Sequence, residues 1–132
     1  MTELFVKIVL GHLAGDYLFQ NKEMALKKSL PGLDGFGWCL LHCVIYTLTV
    51  CLIASRHDPL FISLIFLSHF LIDRWSLGEK WLKLIHGRTF EAAFSSVIPY
   101  REIDIAFTSI VYTIVDNTWH LLLIYLLLPF VL

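Results

Sequence analysis

Residues 36–54, FGWCLLHCVIYTLTVCLIA, are the stretch of sequence that decides the fold of this chain. They contain no Asp, Glu, Lys or Arg, and they approach the length of about 20 residues at which a helix crosses a bilayer. Three other stretches are similarly apolar, so the predicted spans cover residues 4–19, 36–54, 60–77 and 105–132. The sequence therefore predicts an all-α integral membrane protein, with four transmembrane helices in a single domain over residues 1–132.

The composition excludes several other classes of protein. Of 132 residues, 58% are hydrophobic and 16% are charged, whereas a soluble domain has about 45–50% and about 25%. A composition this apolar excludes intrinsic disorder. The net charge of −1 excludes a nucleic-acid partner, which requires a basic patch. Cys39, Cys43 and Cys51 all lie in one apolar segment, which excludes a disulfide scaffold.

Basic residues predict the orientation of the spans. They concentrate in the first and third connections: Lys22, Lys27 and Lys28 in the first, and Arg74, Lys80, Lys83, Arg88 and Arg101 in the third. The second connection holds only Arg56, so the positive-inside rule places the first and third connections in the cytoplasm and both termini outside. The third connection also has apolar residues at helical spacing, which predicts an interfacial amphipathic helix on the cytoplasmic side over about residues 79–98.

Ionisable side chains inside the spans are the most informative feature of the sequence, because each costs about 2.5–3.5 kcal/mol on insertion scales. They form three pairs of a His and an Asp four residues apart: His12 with Asp16, His69 with Asp73, and Asp116 with His120. Residues at this spacing share a helix face. In alternating spans the three Asp form one layer near the cytoplasm, and the three His lie about 6 Å deeper. His42 in the second span adds a fourth imidazole.

This set of side chains predicts a metal site. Imidazoles and carboxylates are ligands that suit Zn²⁺, Fe and Mn²⁺, and we expect a divalent metal, zinc before the others. The candidate ligands are His12, His42, His69, His120, Asp16, Asp73 and Asp116. The candidate catalytic residues are Asp16, Asp73 and Asp116, as general bases toward water or as groups that orient the imidazoles. The predicted function is zinc-dependent hydrolysis of a lipid or amphiphilic substrate from the cytoplasmic side.

Other functions stay open at this point. A proton or metal-ion transporter or channel subunit also uses titratable groups in the membrane, although only Lys7 lies toward the outside here. Haem ligation by two histidines is a further alternative, but it would not explain why a carboxylate lies four residues from three of the histidines. A non-catalytic interaction protein would use the same groups as a structural polar network. The predicted partners are membrane lipid and a second copy of the chain, with Gly11 and Gly15 as contact points of a homodimer.

Residues 11–20, GHLAGDYLFQ, contain a His-x-x-Gly-Asp-x-x-x-Gln motif. The motif resembles the N-terminal signature of a small bacterial and phage membrane family, domain of unknown function 3307. The Leu-Leu-His at residues 40–42 and the His-x-x-x-Asp at residues 69–73 match its later motifs. The resemblance implies a multi-pass protein of the bacterial inner membrane. A looser similarity to membrane-bound metal-dependent hydrolases implies a metal site.

Overall fold

The computed structural model describes residues 2–131, and within them every regular element is helical, which confirms the all-α prediction. The helices are α1 (Thr2–Tyr17), α2 (Lys22–Lys27), α3 (Gly32–Ala54), α4 (Pro59–Arg74), α5 (Leu77–His86), α6 (Phe90–Ser95) and α7 (Arg101–Leu127), which a 3₁₀ turn, Leu128–Phe130, extends.

Two of these helices are long and apolar enough to cross a membrane, and a third span results if α4 and α5 together form one bent span. The two are α3 and the combination of α7 with its 3₁₀ turn. The helices α1 and α4 have 16 residues each, fewer than the about 20 that a straight span requires. Two or three helices could therefore span a membrane by their length and composition, as expected of a membrane protein, and the count of four spans stays a prediction.

The predicted interfacial helix over residues 79–98 is two helices in the structure. Gly87 ends α5 with φ +62°, a left-handed conformation that glycine adopts at little cost. A new helix, α6, then begins behind Thr89, whose side chain accepts a hydrogen bond from the N–H of Ala92. The apolar spacing continues across the break, and this continuity is why the sequence pattern alone suggests one helix.

The described chain forms two compact units. The first unit contains the residues up to 75 and those from 120 onward, and the second contains Ser76–Trp119. In the first unit α3 is central and packs against α1, α2 and α4. In the second unit Arg88 donates hydrogen bonds to Asp104 and to the buried Thr108 on α7. These bonds hold the start of α7 beside the connection from α5 to α6.

The start of α4 is fixed by a capping residue outside the spans. Asp58 accepts a hydrogen bond from the N–H of Phe61 at 2.9 Å, and Arg56 donates to the same carboxylate. The hydrogen bond from the Phe61 N–H is the largest cause that holds the pKa of Asp58 below its usual value, and the hydrogen bond from Arg56 is the next largest. The cap therefore stabilises the fold at neutral pH, and this contribution is lost as the pH falls through the lowered pKa.

Two glycines bring α1 and α3 into close contact. A Cβ atom at Gly11 would lie 2.8 Å from the Cα of Val50, and one at Gly15 would lie 2.7 Å from Cδ2 of Tyr46. The face that carries Gly11 and Gly15 is therefore covered by α3 of the same chain. The expectation that these glycines are the contact points of a homodimer is wrong for this reason, while dimerisation itself stays a prediction.

We expect Gly11→Ala to lower the free energy of unfolding by about 1–3 kcal/mol, because the added methyl group meets a backbone atom that moves only if α3 moves. The matched control is Gly37→Ala, since a Cβ there meets no atom within 4 Å. Its stability should stay the same or rise by up to about 1 kcal/mol, because alanine favours helices. Unfolding in detergent, followed by circular dichroism, measures both. Equal stabilities would contradict the close contact.

Candidate metal centre

The first unit gathers polar side chains from its helices at one buried place. The helix α1 supplies His12 and Asp16, α3 supplies His42, α4 supplies His69 and Asp73, and α7 supplies His120. The four histidines and Asp73 are buried, and the Asp16 side chain keeps 10% of its exposure. The i, i+4 spacing on α1 and α4 turns each His and its Asp to the same side of the helix. The residues therefore meet inside the bundle.

Four of these side chains meet at the ring nitrogens of His42 and His69, and we call them the His/Asp cluster: Asp16, His42, His69 and Asp73. The Nε2 atoms of His42 and His69 are 2.9 Å apart. Oδ2 of Asp73 lies 3.1 Å from Nε2 of His42 and 3.2 Å from Nε2 of His69. Oδ1 of Asp16 lies 3.4 Å from each of these nitrogens.

These separations fit the ligand shell of a transition metal. Zinc binds nitrogen and oxygen ligands at about 2.0–2.2 Å, so two ligand atoms lie about 3 Å apart at a right angle and about 3.4 Å apart at the tetrahedral angle. The five measured separations run from 2.9 to 3.4 Å. Two imidazole nitrogens and two carboxylate oxygens are also a donor set that suits Zn²⁺, Fe or Mn²⁺. Within the cluster, the ligand atoms of His42, His69 and Asp73 all lie within 4.8 Å of one another, so these three residues could hold one divalent ion.

Unsatisfied polar atoms surround the same centre. Among the described residues, Oδ1 of Asp16, Oδ1 of Asp73, and Nδ1 of His42 and His69 are buried without a hydrogen-bond partner. Such atoms are few in folded proteins, and each calls for a physical explanation. Buried carboxylate oxygens are acceptors that need a proton donor or a cation. One of them, Oδ1 of Asp16, is a ligand atom of the cluster, so a cation bound beside the two ring nitrogens would satisfy it.

Three imidazoles lie together beside the cluster, and we call His12, His69 and His120 the histidine layer; of these, only the rings of His69 and His120 are stacked. The ring centroids of His69 and His120 are 4.1 Å apart, those of His12 and His120 are 5.4 Å apart, and those of His12 and His69 are 6.1 Å apart. Tyr46 stacks on His69 at 3.5 Å, and its hydroxyl lies 3.0 Å from Nδ1 of His12. The depth argument from the sequence predicted that these three histidines lie together.

His12 and His120 border the His/Asp cluster through its carboxylates. Nδ1 of His12 lies 3.6 Å from Oδ2 of Asp16, and Nε2 of His120 lies 3.3 Å from Oδ1 of Asp73. Each histidine thus lies beside the carboxylate oxygen that does not take part in the central set of four atoms. His12, Asp16 and His69 also bring one ligand atom each within 4.8 Å of one another, so His12 stays a candidate ligand as well as a group that could orient Asp16.

Two residues of the first connection reach the cluster, and the sequence analysis did not include them in the site. Nζ of Lys28 donates to Oδ2 of Asp73 at 2.8 Å, and both side chains are nearly buried. Nε2 of Gln20 lies 3.4 Å from Nε2 of His42. One signal for Lys28 was available, because a carboxylate in a span needs a cationic partner. The neighbouring Arg74 is engaged elsewhere, since it donates to the backbone oxygen of Leu30.

Asp116, the third candidate carboxylate, belongs to the second unit. There its side chain packs against Gly78, where a Cβ would lie 2.6 Å from Oδ1 of Asp116. Its predicted roles as a ligand and as a catalytic residue stay predictions. The residues that the first unit brings together are thus two of the three predicted Asp and all four predicted His.

The comparison with known families confirms the resemblance seen in the motifs. A family model described as "Protein of unknown function (DUF3307)" matches residues 4–131, so the chain belongs to this family. The match extends past the first three predicted spans, in which the quoted motifs lie, and includes α7. No curated protein and no solved structure matches the chain. The family description carries no activity, and the looser similarity to hydrolases stays a prediction.

We expect Asp73→Asn to destabilise the metal-free protein by about 3–5 kcal/mol, because it removes the counter-charge of a nearly buried ammonium. Adding Lys28→Met removes that ammonium as well and should restore the larger part of the loss. Unfolding by denaturant in the presence of a chelator measures the series. Glu23→Gln is the control, since it breaks the exposed pair of Glu23 with Lys27 and should change little. A double variant as unstable as Asp73→Asn would contradict the coupling.

Proposed function

We propose that this member of the DUF3307 family is an intramembrane metalloprotein and acts as a hydrolase. In this proposal the His/Asp cluster holds one divalent transition metal, zinc before iron or manganese, and the substrate is a lipid or another amphiphile reached from the cytoplasmic side. The observation that carries the proposal is the group of His42, His69 and Asp73, whose ligand atoms lie 2.9 to 3.2 Å apart, with Oδ1 of Asp16 at 3.4 Å from both ring nitrogens.

The chemistry of the surrounding side chains supports hydrolysis. When bound, such a metal lowers the pKa of water and polarises an acyl or phosphoryl oxygen. The second carboxylate oxygen of Asp16 and that of Asp73 remain available to accept a proton, and His12 and His120 lie beside them at 3.6 and 3.3 Å. An imidazole next to a carboxylate is a common arrangement for moving a proton near neutral pH. The site thus has groups for both binding and proton transfer.

An apolar layer on the far side of the histidines favours an enzyme over a transporter. Ile8 precedes His12 by four residues, Ile65 precedes His69 by four, and Ile124 follows His120 by four. We call these three residues the isoleucine layer; all three are buried in one core cluster with Val50 and Phe61. A transport path needs polar groups on both sides of a binding site. Here apolar side chains cover the side that faces the predicted outer leaflet.

Metal content is the first test of the proposal. Purified without chelators, or reloaded with Zn²⁺, the protein should hold about one equivalent of transition metal, because four ligands make one site. His42→Ala and His69→Ala should lose the metal, since each removes a ligand at the centre. His57→Ala is the control, because His57 is exposed in the connection before α4. Elemental analysis by mass spectrometry measures all four proteins, and a wild-type protein without bound metal would overturn the proposal.

Hydrolysis needs a separate test, with p-nitrophenyl laurate and dodecyl p-nitrophenyl phosphate in micelles as probes. We expect release of p-nitrophenolate from at least one probe, loss of release on chelation and its return with Zn²⁺. Asp16→Asn should lower the rate by about 100-fold or more, because it removes a carboxylate that would help to hold the metal and would accept a proton. His57→Ala should leave it unchanged. A metal-loaded protein that cleaves neither probe would contradict hydrolysis and leave the metal site standing.

A further inference from the structure

Lys28 is a cation at the edge of the His/Asp cluster, and the proposed metal chemistry does not use it. Its side chain is 10% exposed, and its ammonium lies 2.8 Å from Oδ2 of Asp73. This oxygen is also the one that approaches His42 and His69. The preceding residue, Lys27, has an ordinary environment, since it is exposed and pairs with Glu23 at 2.8 Å. Two adjacent lysines therefore have different surroundings, and only one of them reaches the site.

The backbone around Lys28 is held in place. Lys28 ends α2, and its N–H donates to the oxygen of Met24, whose side chain is buried. Beyond Lys28, the backbone oxygen of Leu30 accepts a hydrogen bond from Arg74 at 2.8 Å. The same oxygen approaches Gly35 so closely that a Cβ there would collide with it. A lysine on a segment fixed on both sides presents its charge at a defined position, which reduces the entropy cost of binding a ligand there.

The balance of charge in the cluster indicates what Lys28 would bind. With neutral imidazoles, the carboxylates of Asp16 and Asp73 outnumber the single ammonium of Lys28, and the cluster carries one negative charge. A divalent ion reverses this to one positive charge. An unbalanced charge buried in a membrane bundle is costly. As long as the metal holds neutral water, a ligand with a negative group removes the imbalance, and an uncharged ligand leaves it.

We propose that Lys28 recognises an anionic group of the substrate, a phosphate or a carboxylate, beside the metal. The inference rests on the proposed function, because the positive balance exists only when a metal is bound. An ammonium offers three N–H donors and a compact charge, which suit the oxygens of an anion. The substrate class narrows accordingly to molecules with an anionic head, and an amphiphile and a small free anion share this chemistry.

Cobalt makes the binding of an anion visible without turnover. Co²⁺ takes ligands similar to those of Zn²⁺, and its visible absorption changes when a group enters its surroundings. The wild-type protein loaded with Co²⁺ is titrated with dodecyl phosphate and, separately, with inorganic phosphate. We expect a saturable spectral shift with at least one of them. A shift with both indicates a site open to free phosphate, and a shift with dodecyl phosphate alone indicates an amphiphile with an anionic head.

Substitution of Lys28 then tests its part in recognition. Lys28→Gln removes the charge and keeps an N–H donor, and it should raise the dissociation constant of the anion about 10- to 100-fold, as expected for a charge-assisted hydrogen bond. Because Lys28 donates to Asp73, the Co²⁺ spectrum of this variant without anion serves as its own baseline, and the shift is measured from that baseline. Lys28→Arg retains the charge and should bind the anion more tightly than Lys28→Gln. Lys27→Gln is the matched control on the exposed side of the segment, and its titration should equal that of the wild type.

The outcomes separate this inference from the proposal on which it rests. A wild-type protein that binds no Co²⁺ overturns the metal site and the inference with it. A protein that binds Co²⁺ and shows no shift with either phosphate overturns the inference alone, as does a Lys28→Gln variant that binds the anion as tightly as the wild type. Dimethyl dodecyl phosphate, the uncharged ester, tests the wild type without any substitution. A shift as strong with this ester as with dodecyl phosphate also overturns the inference.

Discussion

The burial of two carboxylates in an apolar helical bundle is the constraint on which the rest of the first unit depends. Asp16 and Asp73 lie where water cannot solvate them well, and a charge in that environment is stable only beside donors or cations. The imidazoles of His42 and His69 and the ammonium of Lys28 are placed around these two side chains for this reason. The helix α3 carries His42, the first connection carries Lys28, and the two glycines of α1 let α1 approach α3. All three features bring partners to the buried carboxylates.

Close helix packing makes so small a site feasible. The contact of α1 with α3 at Gly11 and Gly15 brings the backbones together, and Asp16 on α1 thereby reaches His42 on α3. A larger side chain at either glycine would widen the gap between the helices. The cluster distances of about 3 Å leave no tolerance for such a shift, since metal–ligand bonds vary by only about 0.2 Å. The packing of the helices and the geometry of the candidate metal site are therefore one property of this fold.

The sequence allowed prediction of those parts of the site that follow from helical periodicity. His12 with Asp16 and His69 with Asp73 are four residues apart, and this spacing alone places each pair on one face. The role of Lys28 could not be predicted in the same way, because its burial depends on the path of an irregular connection. The break at Gly87 was missed because a left-handed glycine leaves the apolar pattern around it intact. The number of spans depends on whether the short helices α1 and α4 cross the membrane. The sequence alone does not fix where these helices end.

The isoleucine layer has a consequence for the energetics of any reaction at the cluster. Apolar side chains pack directly behind the histidines in the first unit. If the proposed site opens to the cytoplasm alone, it equilibrates with the protons and metal ions of that compartment. The membrane potential and the ion gradients across the bilayer would then do no work on it, and its occupancy would report the composition of one compartment.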